Sequence, residues 1–265
     1  MGKIIGVVSL KGGVGKTSSV VSLGTALSDR GKKVLLVDGN FSCPNLGLHL
    51  NLLDPEVSIH HVLSGDMTVE NAIHDFKRFH VLPASLFPKK RIDALKLGDK
   101  LKGLKKKYDF ILIDSSPALN EETLAVLLAS DEVYVVSTPD TPTLGMTMKA
   151  IKLAKQRGTP ISGLILNKVH GKNFELSLKN IERTSEVPVM AVIPHDLNFL
   201  RALSNNVSIV DFKPNSLGGL EYKKLAALIS GERFELKKRK NLFKRMNPPK
   251  QEINREIFYE AVFAS

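Results

Sequence analysis

A single cysteine, Cys43, is the only thiol in the 265 residues. One chain therefore cannot close an internal disulfide or assemble a multi-cysteine zinc or iron–sulfur site, and a reducing compartment suits it. Long apolar runs are also missing: none approaches the roughly 18 residues that a membrane-spanning helix needs. Internal repeats and low-complexity segments are absent too. The apolar stretch Ile4–Leu10 follows a lysine but runs into Lys11-Gly12-Gly13 with no small-residue cleavage site, so it reads as a buried first strand and not as a secretion signal. Gly6 stands where a myristoylation signal requires Ser or Thr. These absences predict a cytoplasmic globular protein with an intact N-terminus, and 43% hydrophobic residues suffice for a sizeable core.

The net charge of +11 is concentrated in two places. Residues 89–107 carry nine Lys/Arg against Asp93 and Asp99, a balance of +7. Residues 232–250 carry eight Lys/Arg against Glu232 and Glu235, a balance of +6. Residues 251–265 set Arg255 against three glutamates, a balance of −2, so the rest of the chain nets to zero. A neutral body with two basic patches differs from a uniformly basic nucleic-acid coat protein. In the first patch Leu95, Leu97, Leu101 and Leu104 are interleaved with the lysines, as on a solvated helix face; contact with a polyanion is the competing reading.

Short apolar runs recur at Ile4–Ser9, Val34–Asp38, Phe79–Leu82, Phe110–Asp114, Val133–Ser137, Ile161–Asn167 and Val189–Ile193. Each is uniformly apolar and not alternating, the pattern of strands buried on both faces of a mostly parallel sheet. Helical segments are expected at Thr17–Arg30, Glu121–Ser130, Thr143–Arg157, Phe174–Thr184 and Leu217–Ile229, several closed by a glycine such as Gly31 or Gly158. Strand–helix alternation of this kind predicts an α/β fold, doubly wound, with helices on both faces of the sheet. The composition changes after Ile229, so the sequence divides into a domain over 1–231 and a tail over 232–265.

The segment Ser9-Leu10-Lys11-Gly12-Gly13-Val14-Gly15-Lys16-Thr17 follows a strand and opens a helix, the context that a phosphate-binding loop requires. Glycines let backbone N–H groups converge on phosphate oxygens, and the helix N-terminus adds its positive end. Lys16 is placed to reach the β- and γ-phosphates and Thr17 to offer its hydroxyl to Mg²⁺. Asp114, closing the apolar strand Phe110–Ile113, is a carboxylate suited to a magnesium-bound water. His60 and His61 are adjacent and lack the i,i+4 spacing of two metal ligands on one helix face, so they read as structural or surface residues.

The loop has Leu10 where the usual leading glycine stands and a second lysine at Lys11. In this it resembles the deviant Walker A ATPases, the MinD and ParA family, and within it the archaeal MinD-like branch. Asn45-Leu46-Gly47-Leu48, Ile59-His60-His61-Val62-Leu63-Ser64-Gly65, Val81-Leu82-Pro83 and Ala191-Val192-Ile193-Pro194 carry the likeness to MinD, and the resemblance spans about residues 1–230. It implies a P-loop NTPase fold, ATP/ADP and Mg²⁺ as cofactors, hydrolysis of ATP to ADP and phosphate, and a homodimer in which Lys11 reaches the nucleotide of the second copy. It implies nucleotide contacts from Lys11, Gly12, Gly13, Val14, Gly15, Lys16, Thr17 and Ser18. Asn167, Pro194 and Asp196 become the adenine-recognition elements, although Asn167 and Asp196 also suit a helix cap or a turn. Asp38, beside Thr17 and Asp114, becomes an acidic residue near the metal, and Lys11, Lys16, Asp38 and Asn40 become the catalytic set. The implied role is spatial positioning, as in division-site placement, at the inner face of the cell membrane.

Two departures from the family pattern bear on catalysis. The second strand of these proteins ends Asp-x-Asp, whereas here the tripeptide is Asp38-Gly39-Asn40. An amide oxygen can align a water but is a far weaker proton acceptor than a carboxylate, and general-base assistance is worth about 10²–10⁴-fold, so slow hydrolysis is expected. Leu119 replaces a glycine after Pro117-Ala118, which predicts a differently moving second switch loop.

In the tail, Phe234, Leu236, Leu242, Phe243 and Met246 are set among basic residues, a composition suited to an interfacial helix on an anionic membrane surface over 234–246. Residues 251–265 place Ile253, Ile257, Phe258, Val262 and Phe263 at helical spacing with net negative charge, which suits docking to a protein partner. The competing readings are a partition-type ATPase that holds DNA non-specifically through residues 89–107, and a nucleotide-dependent scaffold with little hydrolysis. A related iron–sulfur carrier is disfavoured by the lone Cys43.

Overall fold

The computed structural model describes residues 2–234; of the two tail segments read above, 234–246 and 251–265, all but Phe234 lies outside the described residues. Eight strands form one sheet: β1 (Lys3–Val8), β2 (Val34–Gly39), β3 (His74–Phe76), β4 (Phe79–Leu82), β5 (Phe110–Ser115), β6 (Glu132–Ser137), β7 (Ile161–Val169) and β8 (Val189–Pro194). Their order is β3-β4-β2-β5-β1-β6-β7-β8. All pairings are parallel except β3 with β4, a hairpin on one edge that the sequence reading did not contain.

The uniform apolar character of the strands has a direct structural cause. Within β1, Ile4 and Val8 face one core layer while Ile5 and Val7 face the other, and Leu35/Val37 and Val34/Leu36 divide in the same way on β2. Because the positions of the central strands are covered on both faces, alternation with polar residues there would bury unpaired groups.

The helices follow as α1 (Lys16–Ser28), α2 (Leu46–His49), α3 (Ile59–Leu63), α4 (Leu97–Lys102), α5 (Glu121–Ala129), α6 (Thr141–Gln156), α7 (Leu178–Ser185), α8 (Asn198–Ser204), α9 (Ile209–Phe212) and α10 (Leu217–Ile229). Residues of α3 to α7 cover one face through Val62, Leu101, Leu127, Ile151 and Ile181. Those of α1, α9 and α10 cover the other through Leu23, Leu27, Ile209 and the fully buried Tyr222, whose hydroxyl lies 2.9 Å from Ser19 Oγ.

Several helix ends differ from expectation because caps override periodicity. Asp140 accepts from the amide of Thr143 at 2.9 Å, so α6 starts at Thr141, two residues early. Ser177 accepts from the amide of Asn180, so α7 starts at Leu178 and leaves Phe174 in an exposed loop. Gly31, Gly158 and Gly231 adopt φ of 76°, 70° and 67° after their helices, the left-handed stop that glycine favours.

In the basic stretch Leu97, Leu101 and Leu104 are fully buried, leaving the lysines outside. Lys90, Lys96, Lys105 and Lys107 pair with Asp66, Asp93, Asp131 and Glu70. At the root of the tail Glu232 bridges Arg30 at 2.6 Å and Lys32 at 2.7 Å, tying it to the turn that follows α1. None of the helices among the described residues is long and apolar enough to cross a membrane.

Candidate functional site

The carboxyl ends of the central strands open into a cavity of about 680 Å³. It is lined by Gly12, Gly13, Gly15, Lys16, Thr17 and Ser18 from the loop and the start of α1, by Asn40 after β2, by Asn167 on β7, by Pro194 at the end of β8 and by Asp196 beyond it. Ten of the residues singled out from the sequence are thus brought around one space. Its size suits a nucleotide-sized ligand.

The loop owes its shape to two glycines. Gly13 and Gly15 take φ of 75° and 96°, and Gly15 is the N-cap of α1. A Cβ on Gly15 would stand 2.2 Å from Asn167 Nδ2, so only glycine allows β7 to close against the loop. Asn167 donates from Nδ2 to the carbonyl of Val14 at 2.7 Å, and its Oδ1 accepts from the amide of Lys168 at 2.9 Å. Val14 is therefore buried behind the loop and does not line the cavity. Lys168 also lines the cavity and donates to the carbonyl of Gly13 at 2.8 Å; it escaped sequence reasoning, though its position directly after Asn167 was the available signal.

Beneath the loop lie three ionisable groups, Lys16, Asp114 and Asp38. Lys16 is nearly buried, and desolvation lowers its pKa although Asp114 acts the other way. Asp114 is raised to about 6 by burial, with Lys16 and the Thr17 hydrogen bond opposing the rise. Asp38, the register partner of Asp114 on the adjacent strand, is raised to about 8 by burial and then by the charge of Asp114. Thr17 Oγ1 donates to Asp114 Oδ2 at 2.5 Å, whereas Asp114 Oδ1 is buried with no hydrogen-bond partner. A hydroxyl and an incompletely satisfied carboxylate beside a phosphate-type loop form a donor set that fits a hard divalent cation such as Mg²⁺.

Asp38 is engaged differently. Its Oδ1 accepts from the amide of Asn40 at 3.1 Å, and its Oδ2 accepts from the amides of Asn45 and Leu46 at 3.1 and 3.0 Å. It thereby holds the loop between β2 and α2. Asn40 is buried at the cavity edge and donates its side-chain amide to the carbonyl of Cys43.

Lys11, like Val14, does not line this cavity. Its Nζ lies 2.6 Å from Thr143 Oγ1 and 3.4 Å from Asp140 Oδ1, at the N-terminus of α6. Partial burial pushes Asp140 upward, but hydrogen bonds from Thr138 and Thr143 and the Lys11 charge outweigh it and hold the carboxyl at about 2. His60 is buried, its Nδ1 accepting from the amide of Ser85, and His61 caps α3 with Ser58, so both are structural as expected. His49, on the cavity wall, is kept neutral by burial, which lowers its pKa to about 4.

A family profile described as an AAA domain matches residues 2–159. An uncharacterized ATP-binding protein of Methanocaldococcus jannaschii is 36% identical over 234 residues, 86% of this chain and 88% of the relative. The crystal structure of the cell division ATPase MinD of Pyrococcus furiosus superposes with a TM-score of 0.83 at 37% identity, covering 87% of this chain and 99% of that one. The septum site-determining protein MinD of Pyrococcus horikoshii, complexed with Mg-ADP, gives a TM-score of 0.82 at 35% identity, with 86% and 96% covered.

Proposed function

The chain belongs to the MinD/ParA family of P-loop ATPases, and on that basis we propose that it is a MinD-like switch that binds ATP with Mg²⁺, pairs with a second copy over the nucleotide and hydrolyses it slowly. The loop amides and the N-terminal end of α1 bind the phosphates, and the buried ammonium of Lys16 neutralises their charge. Thr17 and Asp114 hold the Mg²⁺, which when bound neutralises charge on the phosphate oxygens. Asn40 orients the attacking water through its amide, without the proton-accepting power of a carboxylate. Asn167, Pro194 and Asp196 border the base.

The observation that carries the reading is the placement of Lys11. Lys16 already serves the chain's own cavity, while the Lys11 ammonium lies outside it, against Thr143 and Asp140. A lysine held at the rim in this way is available to a neighbouring copy. The test is the molecular mass in solution with Mg²⁺ and a non-hydrolysable ATP analogue. The unaltered chain is expected to dimerise, and Lys11→Ala to bind nucleotide yet stay monomeric; a Lys11→Ala variant that still dimerises would overturn the assignment.

The biological output of such a switch is positioning in space, with the basic tail of two paired chains holding an anionic membrane by avidity. Electrostatic DNA binding through residues 89–107 is the second reading. It is less supported, because four of the nine basic residues there are already matched with carboxylates.

A further inference from the structure

Glu122 has no part in the site as described so far, yet it is only 7% exposed and carries an ionisable group. It lies in the first turn of α5, where the helix N-terminus favours a carboxylate. Its Oε1 accepts from the amide of Ser42 at 2.8 Å and also from the Ser42 hydroxyl, 80 residues away in sequence. Its Oε2 is buried with no hydrogen-bond partner. Burying a carboxylate with one oxygen unpaired is unfavourable relative to a neutral side chain of similar size. The link to Ser42 is therefore what this group contributes.

Ser42 is the middle of the loop whose orientation decides where Asn40 points. Asn40 gives its side-chain amide to the carbonyl of Cys43, and Asn45 Nδ2 reaches the same carbonyl at 2.9 Å. Asp38 pins both ends of the loop through Asn40, Asn45 and Leu46. Glu122 pins its centre, between Asn40 and Cys43. The next residue, Thr123, donates from Oγ1 to the carbonyls of Ala118 at 2.7 Å and Ser116 at 3.2 Å, in the loop that follows Asp114. One helical turn therefore grips both loops, and Asn40 and Pro117 from those loops line the cavity, with Ser115 at the end of β5.

We infer that Glu122 is a positioning residue for the hydrolytic step: through Ser42 it fixes the loop that carries Asn40 and couples it to the loop after Asp114, so that the two move as one body. The inference rests on the ATPase reading above and extends it. An amide in place of a carboxylate works by placement alone, and misplacing a reacting group by about 1 Å can cost about 10²-fold in rate.

The experiment compares the full chain with Glu122→Ala, Glu122→Gln and Ser42→Ala in three measurements: affinity for Mg-ADP, single-turnover ATP hydrolysis, and the alkylation rate of Cys43, the sole cysteine and exposed on this loop. Glu122→Ala is expected to lower the hydrolysis rate roughly ten- to a hundredfold while affinity is kept. It is also expected to speed Cys43 alkylation in the nucleotide-free protein. Ser42→Ala, at an exposed position that leaves the core intact, should shift both in the same direction by less. Glu122→Gln keeps an acceptor oxygen and should return both toward the unaltered values. Unchanged hydrolysis, a rate that falls only in step with affinity, or a glutamine no better than alanine would each overturn the inference. Lack of nucleotide binding or turnover in the unaltered chain would instead remove the ATPase reading. Cys43 alkylation then decides the clamp alone, and a rate unchanged in Glu122→Ala would overturn it.

Discussion

Asp38 and Asp114 stand opposite one another as register partners on β2 and β5, but the first gives both its oxygens to backbone amides while the second keeps one buried oxygen unpaired. The pair thus divides into a carboxylate that builds a loop and a carboxylate with an oxygen still open to a partner.

The pH dependence follows with a definite sign. Both carboxyls titrate above their ordinary range, Asp114 at about 6 and Asp38 at about 8. Folding therefore favours their protonated forms, and the stability they contribute is complete below about pH 4 and lost as pH rises through 6 and then 8. The melting temperature of nucleotide-free protein should fall across that window, while Mg²⁺-dependent ADP affinity should rise as Asp114 ionises. Asp114→Asn should raise the nucleotide-free melting temperature by roughly 5 °C and remove the magnesium dependence. Thermal melts with and without Mg-ADP across pH check both; a melting temperature flat from pH 5 to 8 contradicts the assignment.

Asn40→Asp restores a carboxylate at the cavity edge. Single-turnover hydrolysis should rise, by up to about 10²-fold if the new group accepts the proton of the attacking water. An unchanged or lower rate would show that this position does not orient the water.

Gly15→Ala forces a methyl group into the space of Asn167 Nδ2 at a residue with φ of 96°. Destabilisation of about 1 kcal/mol or more is expected from the backbone alone, with loss of nucleotide binding. Asn167→Ala leaves the Val14 carbonyl without its donor and should cost about 1 kcal/mol in stability, with weaker ADP affinity. Chemical denaturation and nucleotide titration separate the two effects, and an Asn167→Ala chain with unaltered ADP affinity would remove that residue from the site.

A chain ending at residue 234 should retain nucleotide binding and lose ATP-dependent flotation with anionic liposomes. Equal flotation of the shortened and full-length chains would place the membrane contact on the body, and a DNA mobility shift in place of flotation would favour the partition-type reading.

How much of this was written locally explains what could be read beforehand. The phosphate loop depends on glycines a few residues apart, and the parallel sheet on runs whose every position is apolar, so both are visible in short windows. The edge strand His74–Phe76 is three residues long and two of them are polar, with no period to detect. The start of α7 turned on Ser177, a cap that outweighed the apolar spacing beginning at Phe174. The partners of Lys11 lie 129 and 132 residues away, and Ser42 lies 80 from Glu122; such contacts exist only once the sheet has brought the loops to one edge.

The ion pairs of Glu232 with Arg30 and Lys32 fix where the tail departs. Glu232 is held at the turn after α1, and the head of that same helix lines the cavity, about 20 Å away along 13 residues. The nucleotide-sized cavity and the anchor of Glu232 therefore stand at opposite ends of one helix, so a change at either end has α1 as its shortest covalent route to the other.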